Sequence, residues 1–130
     1  MKFQLAHISL IIDDYDRAID YYTQTLGFTL TEDKPISSTK RWVLVTPAGS
    51  SCSLLLAKAA DDEQISRIGN QTGGRVFLFL HTDNFDEYYA RLQASQVEFI
   101  KSVSEEPHGK VAVFLDFYGN LWDLIEPKTH

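Results

Sequence analysis

The sequence predicts an α+β fold made of two tandem βαβββ modules. A buried strand that runs directly into a helix cap occurs at Ile8–Asp14 and again, seventy residues later, at Val76–Asn84. A helix, a polar loop, a strand, a turn with glycine and a strand follow each time at the same offset. Seven pairs are identical across it: Leu10 and Leu80, Asp13 and Asp83, Asp16 and Asp86, Lys40 and Lys110, Val43 and Val113, Gly49 and Gly119, Leu54 and Leu124. We therefore interpret the chain as two copies of one module.

Composition excludes several classes of function. The chain has 130 residues, 44% hydrophobic and 23% charged, as is typical of a globular domain. A net charge of −6 without a basic run argues against a nucleic-acid partner. No stretch approaches the roughly 20 apolar residues of a membrane span, and no secretory signal is recognisable. We expect a cytoplasmic protein without a membrane partner. Its one cysteine, Cys52, cannot form an intrachain disulfide.

Module one is predicted to occupy residues 1–57. Alternation in its first strand, residues 4–12, places His7 and Ser9 on a mixed face that suits a cavity, and the apolar residues on a face that carries the helix. Asp14 is the expected helix cap, and Gly27 is the expected stop. The remaining strands are predicted at 28–31, 41–46 and 51–57, with a polar loop over 32–40.

Module two is predicted to repeat this order over residues 75–130. Residues 58–74 are expected to link the modules and to contain a short helix at 61–69. The helix of module two is predicted at 85–95. Its strands are predicted at 75–82, 97–102, 111–116 and 121–126, with a loop over 103–110.

Four segments together form a family pattern: His7–Asp14, Tyr21-Tyr22, Leu26–Phe28 and Asp116–Glu126. With them the chain resembles the vicinal oxygen chelate superfamily, which includes glyoxalase I, extradiol dioxygenases and bleomycin-resistance proteins. The resemblance covers nearly the whole chain. It implies that each module forms a curved four-stranded mixed sheet, that the two modules enclose a cleft, and that the protein is a homodimer.

Metal enzymes of this superfamily carry one ligand on the first strand and one on the last strand of each module. By position, the resemblance implies His7 and Ser53 in module one, and Phe77 and Asp123 in module two. His7 and Asp123 suit one divalent ion such as Zn, Ni, Mn or Fe, whereas serine is a poor ligand and phenylalanine is none. His81 shares the expected cavity face and is a candidate for a further ligand.

His108, in the loop before the seventh strand, is another candidate ligand. Alternatively, His7 forms a hydrogen bond with Asp123 and no ion is bound, because a buried carboxylate needs a partner. The residues expected to contact a small-molecule ligand are Ser9, Ser53, Phe77, Phe79, Arg41 and Tyr118. Trp42 and Trp122 are expected on the helix-packed face.

Two functions remain open. One is a glyoxalase-like lyase or isomerase with an incomplete metal site, in which Asp123 is the catalytic carboxylate that moves a proton. The other is a metal-free protein of bleomycin-resistance type that binds or sequesters a small molecule in an apolar, aromatic cleft.

Overall fold

The computed structural model describes residues 1–128, which divide into two compact units. The first, Met1–Ile68, is called module one, and the second, which begins at Gly69, is called module two. Each contains a four-stranded mixed sheet and a principal helix, as the sequence predicts.

Module one contains four strands and two short helices. The strands are β1 (His7–Ile12), β2 (Thr29–Pro35), β3 (Arg41–Thr46) and β4 (Ser53–Lys58); the helices are α1 (Tyr15–Asp20), which continues into a π turn (Tyr21–Thr25), and α2 (Asp62–Ser66). The strand order is β1-β4-β3-β2. The β1–β4 pair is parallel and the other pairs are antiparallel.

Module two repeats this topology with one helix. Its elements are β5 (Leu78–His81), α3 (Phe85–Ala94), β6 (Phe99–Glu106), β7 (Gly109–Leu115) and β8 (Leu121–Pro127). The strand order is β5-β8-β7-β6, with β5 and β8 parallel. Among residues 1–128, no helix is both long and apolar enough to cross a membrane.

The helix starts follow the sequence signals. The Asp14 carboxylate accepts a hydrogen bond of 2.9 Å from the Arg17 amide, and Asn84 caps α3 in the same way through the Glu87 amide. At the other end, Gly27 adopts a φ of +79°, a left-handed conformation that favours glycine. The predicted caps and the predicted stop are confirmed.

Each sheet has one face toward its helix and one face away from it. Alternation puts the fully buried apolar side chains on the helix-packed face, and these are Leu10, Ile12, Val43, Val45 and Leu56 in module one and Ala112, Phe114 and Leu124 in module two. The opposite face, called the helix-free face, carries the alternate residues of the same strands. Most of the candidate site residues lie on this second face; Arg41, by contrast, has the parity of Val43 and contacts the helix through Asp16.

The repeat offset is not constant, contrary to the sequence prediction. Seventy relates the helix caps, but β2–β3 matches β6–β7 at sixty-nine, since Leu30 pairs with Val45 and Phe99 pairs with Phe114. β4 matches β8 at sixty-eight, since Leu10 lies opposite Leu56 whereas its counterpart in β5 lies opposite Leu124. The identical pairs that lie after the helices, such as Val43 and Val113, therefore do not occupy equivalent positions in the two modules.

The first change of offset arises in the helix. The left-handed residues that follow the two helices are Gly27 and Gln96, so module one holds one residue more between cap and stop. A π turn, which is wider than an α-turn, takes up that residue within Tyr21–Thr25. The second change lies in the turn between the last two strands, which is one residue longer in module one.

Two predicted loops are shorter than expected. β2 continues to Pro35 and β6 continues to Glu106, so much of the predicted loops at 32–40 and 103–110 is strand. Both are edge strands, and their polar residues face solvent. Polar edge strands avoid pairing with other chains, which is why their sequences do not show the usual strand pattern.

Candidate functional site

Trp42 lies on the helix-free face of module one, and its predicted place against the helix is wrong. The indole packs edge-on against His7, with ring centroids 5.6 Å apart, and its Nε1 donates a hydrogen bond of 2.6 Å to Glu32 Oε2. The prediction fails because an offset of seventy matches Trp42 with Ala112 of the core. The prediction for Trp122 is confirmed, since its side chain is only 2% exposed.

A cavity of about 660 Å³ lies at the end of the sheet of module one where β1 and β4 end and β3 begins, and residues from both faces of the sheet line it. Its wall is mainly apolar and aromatic, with hydroxyl, amide and cationic groups at intervals. The lining residues that matter most here are Ser9, Tyr15, Trp42, Leu55, Thr39 and Gln64. Ser9 is thus a predicted binding residue that lines a cavity of drug-like size.

Arg41 also lines this cavity, but its guanidinium is engaged elsewhere. Two N–H groups donate to the Asp33 carboxylate at 3.1 and 2.7 Å, and Nη1 donates to Asp16 at 2.9 Å. The guanidinium carbon lies 5.2 Å from the centre of the Tyr15 ring. The hydrogen bonds to Asp33, and to a smaller extent the hydrogen bond to Asp16, raise the pKa of Arg41 above its usual value.

Lys110 makes the same contacts in module two. Its ammonium group lies 2.8 Å from Asp86 and 5.5 Å from the centre of the Phe85 ring, so a cation at the start of the third strand holds the first turn of each helix. The recurrence of this arrangement indicates that Arg41 positions the helix. A direct contact between Arg41 and a small-molecule ligand stays a prediction.

On the helix-free face of module two, Asp123 lies in β8 directly opposite Phe79 in β5 and Val113 in β7. Burial raises the pKa of the Asp123 carboxyl group, while His108 and Lys101 partly oppose the shift. Phe79 is 63% exposed. His81 is also exposed and lies opposite Ile125, two residues beyond Asp123 along the same strand pair.

The other predicted residues lie at the ends of the strands. The Ser53 hydroxyl shares a hydrogen bond of 2.7 Å with Thr46. Phe77 lines a smaller cavity of about 140 Å³ in module two. The amide of Tyr118 donates to Asp116 at 3.0 Å, which places Tyr118 in the turn before β8.

That turn is built around a buried carboxylate. Asp116, 6% exposed, accepts hydrogen bonds from the backbone amides of Tyr118 and Asn120, from the Asn120 side chain and from Trp122 Nε1, all between 2.9 and 3.2 Å. Asn120 is itself only 2% exposed. This network fixes the start of β8, and therefore the position of Asp123.

The residues present do not form a metal site of the expected kind. The counterpart of Asp123 in module one is Leu55, because Leu55 lies opposite Ser9 as Asp123 lies opposite Phe79. Two of the four ligand positions thus carry Leu55 and Phe77, whose side chains have no donor atom. Among residues 1–128, no three His, Cys, Asp or Glu side chains are grouped so that they could hold an ion.

Sequence reasoning missed several residues of the cavity, above all Trp42 and Leu55. One signal was available for Trp42: it alternates with Val43 and Val45, which share the apolar face, and it has the parity of the polar Thr46. Tyr15 and Gln64 come from helical segments that no local pattern connects to a strand face.

Comparisons with known proteins identify a family and several similar chains. The model of the Glyoxalase/Bleomycin resistance protein/Dioxygenase superfamily matches residues 4–124. A protein of Shewanella frigidimarina (strain NCIMB 400) with no described function is 52% identical over 128 residues, 97% of this chain and 95% of that protein. TnmS3, an antibiotic binding protein from Streptomyces sp. CB03234, is 30% identical, with a TM-score of 0.78 over 98% of both chains. The mitochondrial methylmalonyl-CoA epimerase of Homo sapiens is 26% identical over 118 residues, 86% of this chain and 65% of that enzyme.

Proposed function

Because the chain belongs to the Glyoxalase/Bleomycin resistance protein/Dioxygenase superfamily, we propose that it binds a small organic molecule without a catalytic metal ion. The observation that carries this proposal is the cavity of about 660 Å³ in module one. Cavities of roughly 300–1,000 Å³ with apolar walls and a few polar groups are typical ligand sites. Similarity to TnmS3, an antibiotic binding protein, supports the same function.

The wall of the cavity suits a flat, partly apolar ligand. Trp42 offers an indole held in place by His7 and Glu32, and Leu55 adds an aliphatic surface in the neighbouring strand. Ser9 and Gln64 supply polar groups that orient a ligand. A fixed aromatic surface binds rings at low cost in conformational entropy.

Fluorescence of Trp42 tests the proposal directly. The chain has two tryptophans, and Trp122 is buried and hydrogen-bonded to Asp116, so a ligand in the cavity should change the emission of Trp42 alone. We expect aromatic ligands found in a thermal-shift screen to quench the wild-type protein saturably. The Trp42→Phe variant keeps an aromatic wall and should lose the quenching while it retains the thermal shift. If no aromatic compound stabilises the protein, the proposal is wrong.

A lyase or isomerase is the second candidate function. Asp123 favours it, because a carboxyl group with a raised pKa on a sheet face is suited to proton transfer, and the methylmalonyl-CoA epimerase is a distant relative. The discriminating measurement is thermal stabilisation by Ni, Zn, Mn or Fe of protein purified without chelator. Stabilisation that the His7→Ala variant lacks would favour the metal-dependent enzyme over the binding protein.

A homodimer belongs to the same proposal. Aromatic side chains such as Phe79 and Phe117 are 63% and 51% exposed in the described chain, and pairing with a second copy would cover apolar surface of this kind. Light scattering coupled to size-exclusion chromatography should give twice the chain mass of 14.8 kDa. A mass of one chain at micromolar concentration would contradict the dimer but leave ligand binding open.

A further inference from the structure

The charged residues that line the cavity of module one are all cations. The chain has 12 Lys and Arg residues against 18 Asp and Glu residues. Three of the cations, Lys40, Arg41 and Lys58, line the cavity, whereas none of the described residues that line it is acidic. In a chain with a net charge of −6, a lining of this sign is contrary to the overall balance. A cleft lined by one sign of charge attracts ligands of the opposite sign.

The three cations are not equivalent. The charge of Arg41 is matched by Asp16 and Asp33, which lie just outside the lining. Within residues 1–128, by contrast, neither Lys40 nor Lys58 forms an ion pair. No carboxylate of the described chain lies at contact distance from either lysine, although Lys58 attracts the Asp14 carboxylate from farther away.

Hydrogen bonds of the backbone hold the Cα positions of both lysines in place. The Lys40 carbonyl accepts hydrogen bonds from the amides of Ile36 and Ser37 at 2.8 and 3.1 Å, and the Lys40 amide donates to the Ser37 hydroxyl at 3.1 Å. Lys58 lies in β4 opposite Ile12, and the next amide donates to the Ile12 carbonyl at 2.9 Å. Because the backbone is already ordered at both positions, less conformational entropy is lost when a ligand binds.

We propose that the cavity of module one selects an anionic aromatic molecule, whose carboxylate, sulfonate or phosphate contacts Lys40 and Lys58 while its ring system packs on Trp42. The inference rests on the proposed function and adds the chemical class of the ligand. Ser9, Thr39 and Gln64 add neutral hydrogen-bonding groups to the same lining. The ammonium groups act as exposed point charges, so their contribution is moderate and falls as the salt concentration rises.

A matched pair of dyes tests the proposal. 8-Anilinonaphthalene-1-sulfonate and N-phenyl-1-naphthylamine share their ring system and differ by one sulfonate, and both gain fluorescence when bound. We expect the sulfonate dye to bind the wild-type protein more tightly, with a difference that shrinks at high salt. Lys40→Gln and Lys58→Gln should each weaken its binding about two- to fivefold, and the double variant about tenfold. Binding of the neutral dye should stay unchanged in all three variants.

Lys2→Gln is the control, because it removes the same charge from an exposed lysine outside the lining. It should leave the affinities for both dyes at wild-type values. Equal affinity of the two dyes for wild-type protein would overturn the selection of anions but leave ligand binding intact. A preference for the sulfonate dye that survives in the double variant would overturn the roles of Lys40 and Lys58. If neither dye binds, this inference fails, whereas the thermal-shift screen with aromatic compounds decides the proposed function separately.

Discussion

Removal of the Asp116 side chain should destabilise the protein severely. The carboxylate is 6% exposed and accepts hydrogen bonds from four donor groups, of which the Asn120 amide, the Asn120 side chain and Trp122 Nε1 are buried. A buried donor left without an acceptor costs about 1–3 kcal/mol. Taking the lower value for each of the three, we expect Asp116→Ala to lower the free energy of unfolding by about 3 kcal/mol, a large part of the roughly 5–15 kcal/mol of a typical domain.

Urea denaturation followed by far-UV circular dichroism measures this loss. With a slope near 2 kcal/mol per molar urea, the midpoint should fall by about 1.5 M. Asp116→Asn keeps one acceptor oxygen and should lose less. Asp83→Ala is the matched control, because Asp83 is exposed and its loss should leave the midpoint near that of the wild type. An Asp116→Ala midpoint close to that of Asp83→Ala would refute the reasoning.

Two further predictions concern module two. A Cβ at Gly69 would overlap the Tyr118 carbonyl oxygen, whereas Gly73 has a similar positive φ and open space around it. Gly73→Ala should therefore cost only the roughly 1–2 kcal/mol of a left-handed alanine. The melting temperature of Gly69→Ala should be well below that of Gly73→Ala. Equal melting temperatures would show that the Tyr118 contact is not tight. Because burial raises the native pKa of Asp123, ionisation of this group costs stability as the pH rises through that pKa. Asp123→Asn should therefore gain stability relative to wild type at pH 7 and lose that advantage below the ordinary aspartate pKa of about 3.9, as a pH series of urea titrations would show.

The elements that the sequence predicts best are those with local signals. Asp14 and Asn84 precede apolar periodic segments and cap their helices, and Gly27 ends the first helix with a positive φ. The family resemblance is confirmed by a family match over residues 4–124. Each cap or stop residue lies within a few residues of the helix end that it determines, so it can be recognised from a single sequence.

The helix-free faces are less predictable, because a strand reverses its faces when the register shifts by one residue. An offset of seventy puts Trp42 in the core and makes Ser53 the counterpart of Asp123, whereas the observed pairings put Trp42 beside His7 and make Leu55 that counterpart. Both differences arise because the offset between the modules is not constant. Cavity residues from loops and helices, such as Lys40 and Gln64, depend on tertiary contacts that no local pattern records.

The π turn in the first helix shows where this fold tolerates a change of length. The extra residue of the first helix is stored inside that helix, so the strands that follow keep the pairing seen in module two. A deletion within Tyr21–Thr25 is accordingly the natural way to shorten the chain. Engineering of the proposed ligand site would instead diversify Ile36–Lys40, because all five residues are exposed and Ile36, Thr39 and Lys40 line the cavity.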